Sequence, residues 1–227
     1  MTITDRVLGP LLRADPARPR ITHYDDTAGS RVELSGATLA NWAAKTANWL
    51  RDELDVQPGD AVAVLLPPHW QTAGVLLGAW WCGATVTASP SSAVSVALCG
   101  VGRIADAAGV DEVAALGLDA LGMGIAVLPP GVRDFASEVR VHGDTFTPGG
   151  SGPDTEMLLS TARAQAAELG LAAGDRLLCT TSWDATVPGE VLLAVLAANA
   201  SLVQCTGADP AALADRRTAE RITSTLT

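Results

Sequence analysis

Apolar and polar positions alternate along this chain with two different periods. The opening MTITDRVLGPLLRADP places Asp5 and Arg6 before a short apolar stretch interrupted by Pro10, the pattern of a short amphipathic helix and too brief for the apolar core of a secretory signal. Residues 21–24 and 31–34 then read as two strands around the turn DDTAGS, where Gly29 can take positive φ at little cost. In SGATLANWAAKTANWLRDEL, Leu39, Trp42, Ala43, Thr46, Trp49 and Leu50 recur at helical spacing behind Ser35, a natural N-cap. Both tryptophans read as core residues of that helix, and Lys45 is expected at the edge of the stripe, exposed.

The strongest pattern is a repeat. VQPGDAVAVLLPPHWQTAGVLLGAWWCGATVTA and LAAGDRLLCTTSWDATVPGEVLLAVLAANASLVQC follow one plan. In each, a Gly-Asp pair (Gly59-Asp60, Gly174-Asp175) enters a buried strand, and a loop carries a tryptophan (Trp70, Trp183). A helix then closes at Gly83 or Asn199, and another strand begins. Gly and Asn are the residues best able to adopt the left-handed conformation that ends a helix, so their matched positions have a backbone reason. Two β-α-β units with right-handed crossovers predict an α/β fold of mostly parallel sheets flanked by helices, in two related lobes.

Between the copies, residues 95–99 and 124–128 are short apolar runs expected as strands, followed by the helical DFASEVRV. The Gly-, Pro- and Ser-rich HGDTFTPGGSGPD reads as a connection ahead of a helix over 155–169, and the tail DPAALADRRTAERI as a last helix with Asp209 as N-cap and Pro210 in its first turn. The expected organisation is a first lobe over 1–142, a connection over 143–154 and an incomplete second lobe over 155–227.

Composition narrows the options. Residues 61–102 hold no acidic residue, Lys or Arg, but Pro67-Pro68, Gly83 and Pro90 divide them into pieces shorter than the ~20 residues of a membrane span. The net charge of −10 repels phosphate backbones and anionic lipid, which argues against nucleic-acid or membrane binding. The four cysteines, Cys82, Cys99, Cys179 and Cys205, form no C-x-x-C pair and read as buried thiols of a cytoplasmic protein. His23, His69 and His142 show no metal-ligand spacing and are expected in isolation on loops or surface, so no metal site and no catalytic residue are assigned. The loops after the two repeat strands, Pro67-Pro68-His69-Trp70 and Ser182-Trp183-Asp184, lie where open α/β sheets commonly bind ligands. His69, Trp70, Ser182, Trp183 and Asp184 are therefore the candidate pocket; the alternative is that the two indoles cap the sheets and seal the lobes.

VELSGATLANWAAKTANWLRDELDVQPGDAVAVLLPPHW, GVLLGAWWCGATVTASP and the late block AAGDRLLCTTSWDATVPGEVLLAVLAANASLVQC together resemble the N-terminal part of the adenylate-forming superfamily, which includes acyl-CoA synthetases, peptide-synthetase adenylation domains and luciferases. The resemblance covers most of the chain. With LPPGVRDFASEVRVHGD, it is similar more narrowly to an uncharacterised family of truncated AMP-binding-like proteins of high-GC Gram-positive bacteria. It implies two lobes like that superfamily's N-terminal subdomains and, in an active enzyme, a Ser/Thr/Gly-rich phosphate loop ending in Pro-Lys-Gly. The corresponding stretch here, with Thr145, Thr147, Gly149, Gly150, Ser151 and Gly152, keeps the small residues and lacks the lysine; Lys45 is the only lysine in the chain. Asp154 and Glu156 follow, at the start of a helix where they would repel polyphosphate. The expectation is a non-catalytic, pseudoenzyme-like protein acting by small-molecule or protein binding, with a homo-oligomer or protein partner. ATP, AMP and Mg²⁺ are disfavoured as cofactors. The alternative is a residual acyl or AMP ligase, or a split subunit completed by another chain.

Overall fold

The computed structural model describes residues 1–91, 93–183 and 189–227. Its first helix, α1 (Ile3–Ala14), runs through Pro10 and starts with a capping box. Thr2 accepts from the Asp5 amide through its side chain while the Asp5 carboxylate accepts from the Thr2 amide. Next come β1 (Pro19–Asp25) and β2 (Ser30–Ser35), an antiparallel hairpin as the pattern predicts, and α2 (Gly36–Asp52) with the Ser35 hydroxyl capping its first turn. The first repeat unit follows as β3 (Ala61–Leu65), α3 (Trp70–Cys82) and β4 (Thr85–Thr87).

Residues 95–99 fall within β5 (Val94–Gly100), and a 3₁₀ turn over Val101–Ala107 leads to β6 (Glu112–Leu116). The expected strand at 124–128 does not form. That segment is irregular, because Asp119 and Asp134 accept its backbone N–H groups in place of a neighbouring strand; Asp119 takes those of Leu121 and Met123, and Asp134 that of Ile125. The sheet edge is supplied by β7 (Val132–Asp134), before α4 (Phe135–Val139).

The second unit is α5 (Thr155–Glu168), β8 (Arg176–Cys179), α6 (Glu190–Ala197) and β9 (Ser201–Thr206), then α7 (Leu213–Ala219) and β10 (Ser224–Leu226). The tail helix begins later than its sequence suggests: the Asp209 side chain accepts from the Ala211 amide within a separate turn, and Ala212 is the residue that precedes α7.

Among the described residues ten strands make two five-stranded sheets, in the orders β4-β3-β5-β6-β7 and β10-β8-β9-β1-β2, and every pairing is parallel except β1 with β2. The sheets do not follow chain order, since the hairpin of residues 19–35 joins the strands of residues 176–226. One large core unites the inner faces of both sheets, through Val62, Val64, Val96 and Leu98 on one and Ile21, Leu177 and Leu202 on the other, with α1, α2, α3, α5 and α6 between them. This position explains why α3 and α6 lack a polar face: helices walled in by sheets and other helices are buried nearly all round. The outer faces carry two small clusters, one around Leu65, Ala97 and Cys99, the other around Leu178, Val203 and Cys205 under α7.

The two repeat units match in detail where each begins. Gly59 N–H donates to Gly83 O at 2.9 Å, and Gly174 N–H to Asn199 O at 3.1 Å; Thr85 N–H donates to Asp60 O at 2.8 Å, and Ser201 N–H to Asp175 O at 2.9 Å. The carboxylates of Asp60 and Asp175 each turn back to an amide three residues earlier, Gln57 and Ala172. Gly83 (φ 86°) and Asn199 (φ 58°) both take the left-handed conformation that their residue types predict.

Lys45 is not free in solvent. Its side chain is 22% exposed, its ammonium donates to the carbonyls of His142 (2.6 Å) and Arg140 (3.3 Å), and it pairs with Asp144 at 2.7 Å. The only lysine thus straps α2 to the chain leaving α4. It lies there because helical periodicity puts position 45 toward that exit, which the sequence pattern alone does not show. All four cysteines are buried free thiols, as expected, and burial raises each thiol's pKa, that of Cys82 to about 11. Among the described residues no helix is long and apolar enough to cross a membrane.

Candidate functional site

The residues singled out in the sequence lie at opposite ends of the sheets. The connection over 143–154 is held at the amino ends of the strands, on the closing turn of the first repeat. Asn48 Nδ2 donates to the carbonyls of Gly143 (3.1 Å) and Thr145 (2.9 Å), while Phe146 lies between the Arg51 guanidinium, 4.8 Å from its ring centre, and the Trp81 ring at 5.8 Å. A Cβ added to Gly152 would lie 2.7 Å from Gly83 O, so the connection comes too close to the repeat turn for any side chain there. Asp154 precedes α5 and accepts from the Thr85 hydroxyl at 3.1 Å, and Glu156 pairs with Arg6 at 3.1 Å.

These residues do not fit a magnesium-bound triphosphate. Backbone carbonyls of Gly143 and Thr145 face Asn48, a donor already satisfied by them, and both nearby cations are matched to carboxylates. Arg51 is bound by Asp52 and by Asn48 Oδ1, and Arg6 by Glu156. The carboxylates at the start of α5 oppose an anion where the helix dipole would otherwise favour one.

The other site residues lie at the carboxyl ends, where the loop after β3 and the loop after β8 converge on β9. Trp183 Nε1 donates to Gln204 Oε1 at 3.1 Å, and Gln204 Nε2 donates to Thr181 O at 3.1 Å. Two residues on, the Thr206 hydroxyl donates to Pro68 O at 3.0 Å and lies 3.0 Å from His23 Nε2. A spacing of two puts Gln204 and Thr206 on the same face of β9, so this single strand fastens both loops. Because Thr206 gives its one proton to Pro68, His23 Nε2 is the donor in their contact and His23 Nδ1 is left as a buried acceptor with no partner among the described residues.

His69 Nδ1 accepts from the Gln71 amide, capping α3, and the His69 ring meets His23 edge-on at 4.5 Å. The isolated histidines expected from spacing are therefore, for two of the three, a buried pair. They meet because β1 docks beside β9, and spacing along a chain carries no sign of that pairing. Burial pushes both imidazoles down, His23 to about 4 and His69 to about 3, and each also feels its surroundings: Asp25 partly offsets the fall at His23, while His23 adds to it at His69. Both are neutral at pH 7, and neither shares a described metal-binding group of three ligands.

Trp70 and Trp183 are 4% and 2% exposed. Trp70 packs edge-on against Trp42 at 5.3 Å, and the chain at Gly122 presses on its outer edge, where an added Cβ would lie 2.8 Å from the ring. Ser182 is exposed, and Asp184 lies outside the described residues. The geometry around the two indoles is that of plugs where the sheets meet. Sequence reasoning missed His23, Gln204 and Thr206 here; of these, Gln204 and Thr206 had a faint signal, as polar residues in an otherwise apolar strand.

A protein of Mycobacterium tuberculosis named as a TIGR03089 family protein is 50% identical over 241 aligned residues, which cover 99% of this chain and 98% of that relative. The chain belongs to the TIGR03089 family. No protein-family model matches it. Solved structures extend the likeness in fold to adenylate-forming enzymes. They include an acyl-CoA synthetase of Brucella canis (TM-score 0.76, 17% identity, 99% of this chain and 47% of that one) and an acetoacetyl-CoA synthetase of Streptomyces lividans (TM-score 0.75, 19%, 97% and 41%). The anthranilate CoA ligase AuaEII, solved in complex with anthranoyl-AMP, superposes with a TM-score of 0.75 at 15% identity over 99% of this chain and 48% of its own. This TIGR03089 family member spans about half the length of these solved relatives, and its architecture is that of their N-terminal region.

Proposed function

We propose that this chain is a non-catalytic, adenylation-like cytoplasmic protein that acts by binding a small molecule or a protein. The observation that carries the reading is the connection over 143–154. Where the adenylate-forming pattern places a phosphate loop, this chain has a strap anchored by Asn48, stacked on Arg51 and Trp81, and followed by Asp154 and Glu156. Adenylate formation needs donors and a cation where charge develops on the phosphate oxygens, and the side chains here are spent on internal contacts.

A partner or a second copy is supported by the apolar groups left in solvent, among them Leu121 (76% exposed), Val127 (84%) and Val141 (83%). ATP–pyrophosphate exchange with a panel of carboxylic acids tests the reading. We expect no label in ATP above that of a protein-free blank; exchange that depends on one acid and on this chain alone would overturn it in favour of a residual ligase.

A further inference from the structure

The sheet built from the first repeat reverses its direction of growth between β3 and β5. From β3 the chain crosses through α3 to β4 on one side, then returns to lay β5 on the other, followed outward by β6 and β7. In open parallel sheets such a reversal leaves a crevice at the carboxyl ends, because the two connections leave in opposite directions. A cavity of about 470 Å³ occupies that place, within the range of small-molecule sites. It lies away from the connection over 143–154, which is packed at the amino ends.

The crevice has a definite chemistry. Its accessible apolar surface comes from Pro67, Val101 and the half-buried Leu118, over the buried Leu66 and Leu116, and Gly102 and Gly117 lie exposed beside them. An added Cβ at Gly102 would meet nothing within 4 Å, so that position opens directly into space. Leu118 holds a left-handed conformation (φ 54°) unusual for a bulky residue, fixed by the turn in which Asp119 accepts from the amides of Leu121 and Met123. The wall is thus set before any ligand arrives.

Among the described residues one charged side chain lines the crevice, Arg103. Its Nε is paired with Asp106 at 2.8 Å, an ion pair half exposed on both sides and so weakly held, and its two terminal nitrogens make no hydrogen bond with any described residue. A planar guanidinium with a free edge beside an apolar recess is suited to a carboxylate or sulfonate on an apolar body.

We propose that the crevice between the carboxyl ends of β3, β5 and β6 binds a small apolar molecule carrying one negative charge, with its body on Pro67, Val101 and Leu118 and its anionic group on Arg103. This deepens the reading of the chain as a binding protein. It involves neither ATP nor pyrophosphate, so the two can fail separately.

The test uses the full chain with anilinonaphthalene sulfonate as a fluorescent probe, displaced by naphthoate or by the neutral naphthalenemethanol. Naphthoate should compete about tenfold better than the alcohol, the scale of one charge-assisted hydrogen bond. Gly102→Leu should remove probe binding by filling the recess. Arg103→Gln should weaken naphthoate about tenfold, and Asp106→Asn should strengthen it by releasing the guanidinium. Equal competition by acid and alcohol, or probe affinity unchanged by Gly102→Leu with the variant's melting temperature intact, would overturn the proposal. If Gly102→Leu fails to fold, the opposite responses of the surface variants Arg103→Gln and Asp106→Asn decide, and no change in either also overturns it.

Discussion

The two α-β-α-β units, α2 through β4 and α5 through β9, agree in the turns that enter their strands and differ in what packs around the first strand and the helical layer. The matched turns at Gly59 and Gly174 use the same hydrogen bonds because each must solve one local problem: passing from a helix end into a parallel strand beside the next helix exit. What surrounds the turns differs. After Gly-Asp the first strand opens with Ala61 and the second with Arg176, which donates to Glu220 at 2.6 Å. In the helical layer Gly78 of α3 corresponds to Ala194 of α6, counting back from Gly83 and Asn199. A Cβ on Gly78 would lie 2.5 Å from Thr46 Cβ, so α2 and α3 approach more closely than a methyl group allows. A repeated plan therefore fixes the local fold, while each copy's neighbours set how it is held.

The largest effect should come from the ionic tie that Arg176 of the second unit makes where the first unit has Ala61. Glu220, 6% exposed, accepts from Tyr24 Oη (2.5 Å), Arg31 Nε (2.9 Å) and Arg176. Burial alone would raise its pKa, but donation from Arg31 and Tyr24 more than offsets this and holds the carboxyl below its ordinary value. Glu220→Ala leaves Arg176 facing a partly buried gap and should cost about 3 kcal/mol, the low end for a broken buried pair because Arg31 keeps contact with water. For a chain of this size that is a fall in melting temperature of roughly 6–12 °C.

Next in size are the helix contacts. Gly78→Ala should destabilise by about 1–3 kcal/mol through overpacking against Thr46, whereas the reciprocal Ala194→Gly should cost about 1 kcal/mol through lost helix propensity; urea unfolding of both variants measures the pair. Equal costs would mean that the two helix pairs are spaced alike. A smaller contrast concerns the closing turns. Gly83→Asn puts a Cβ 3.0 Å from Pro58 and 3.2 Å from Gly150 O, while Asn199→Gly relieves a left-handed residue. The first should lower stability by about 1–2 kcal/mol and the second change it by only a few tenths, with the exchange visible in the same unfolding curves.

Only the first unit's strand-to-helix loop carries a histidine, and acid should report it. His23 and His69 have folded pKa values of about 4 and 3, below the 6.5 of an unfolded imidazole. Between pH 6.5 and about 4 the unfolded chain takes up these protons and the folded chain does not, so stability is present above pH 6.5 and is lost as pH falls. The slope should approach ~1.4 kcal/mol per pH unit for each imidazole. His69→Gln should flatten the fall in melting temperature over that window, and an unchanged slope would remove His69 from the account.

Much of the repeat was legible in the sequence, because Gly-Asp turns, an all-apolar helix and a left-handed closing residue are local requirements that each leave a residue type behind. The partner of the N-terminal hairpin was not. Strands β1 and β9 are about 180 positions apart, and nothing in residues 19–35 names the sheet they join. The burial of His23 and the strap made by Lys45 follow from that pairing and from the path after α4, so they were hidden for the same reason; the two indoles as caps on the sheets were one of the two readings the sequence allowed. The irregular path over 117–131 was misread at 124–128 because an apolar run looks like a strand when its backbone is in fact satisfied by Asp119 and Asp134. The stretch over 143–154 was expected as a connection from its Gly, Pro and Ser residues, but its packing as a strap depends on Asn48 and Arg51 of a helix a hundred residues earlier.

The most direct test of that strap is calorimetric titration of the folded chain with Mg-ATP at millimolar concentration, beside the variant Asp154→Ala, which lifts a carboxylate from the start of α5. We expect no saturable heat from either protein, because the connection is occupied by its own contacts. Saturable binding by the native chain, strengthened in Asp154→Ala, would show that the connection still receives phosphate and would contradict the account.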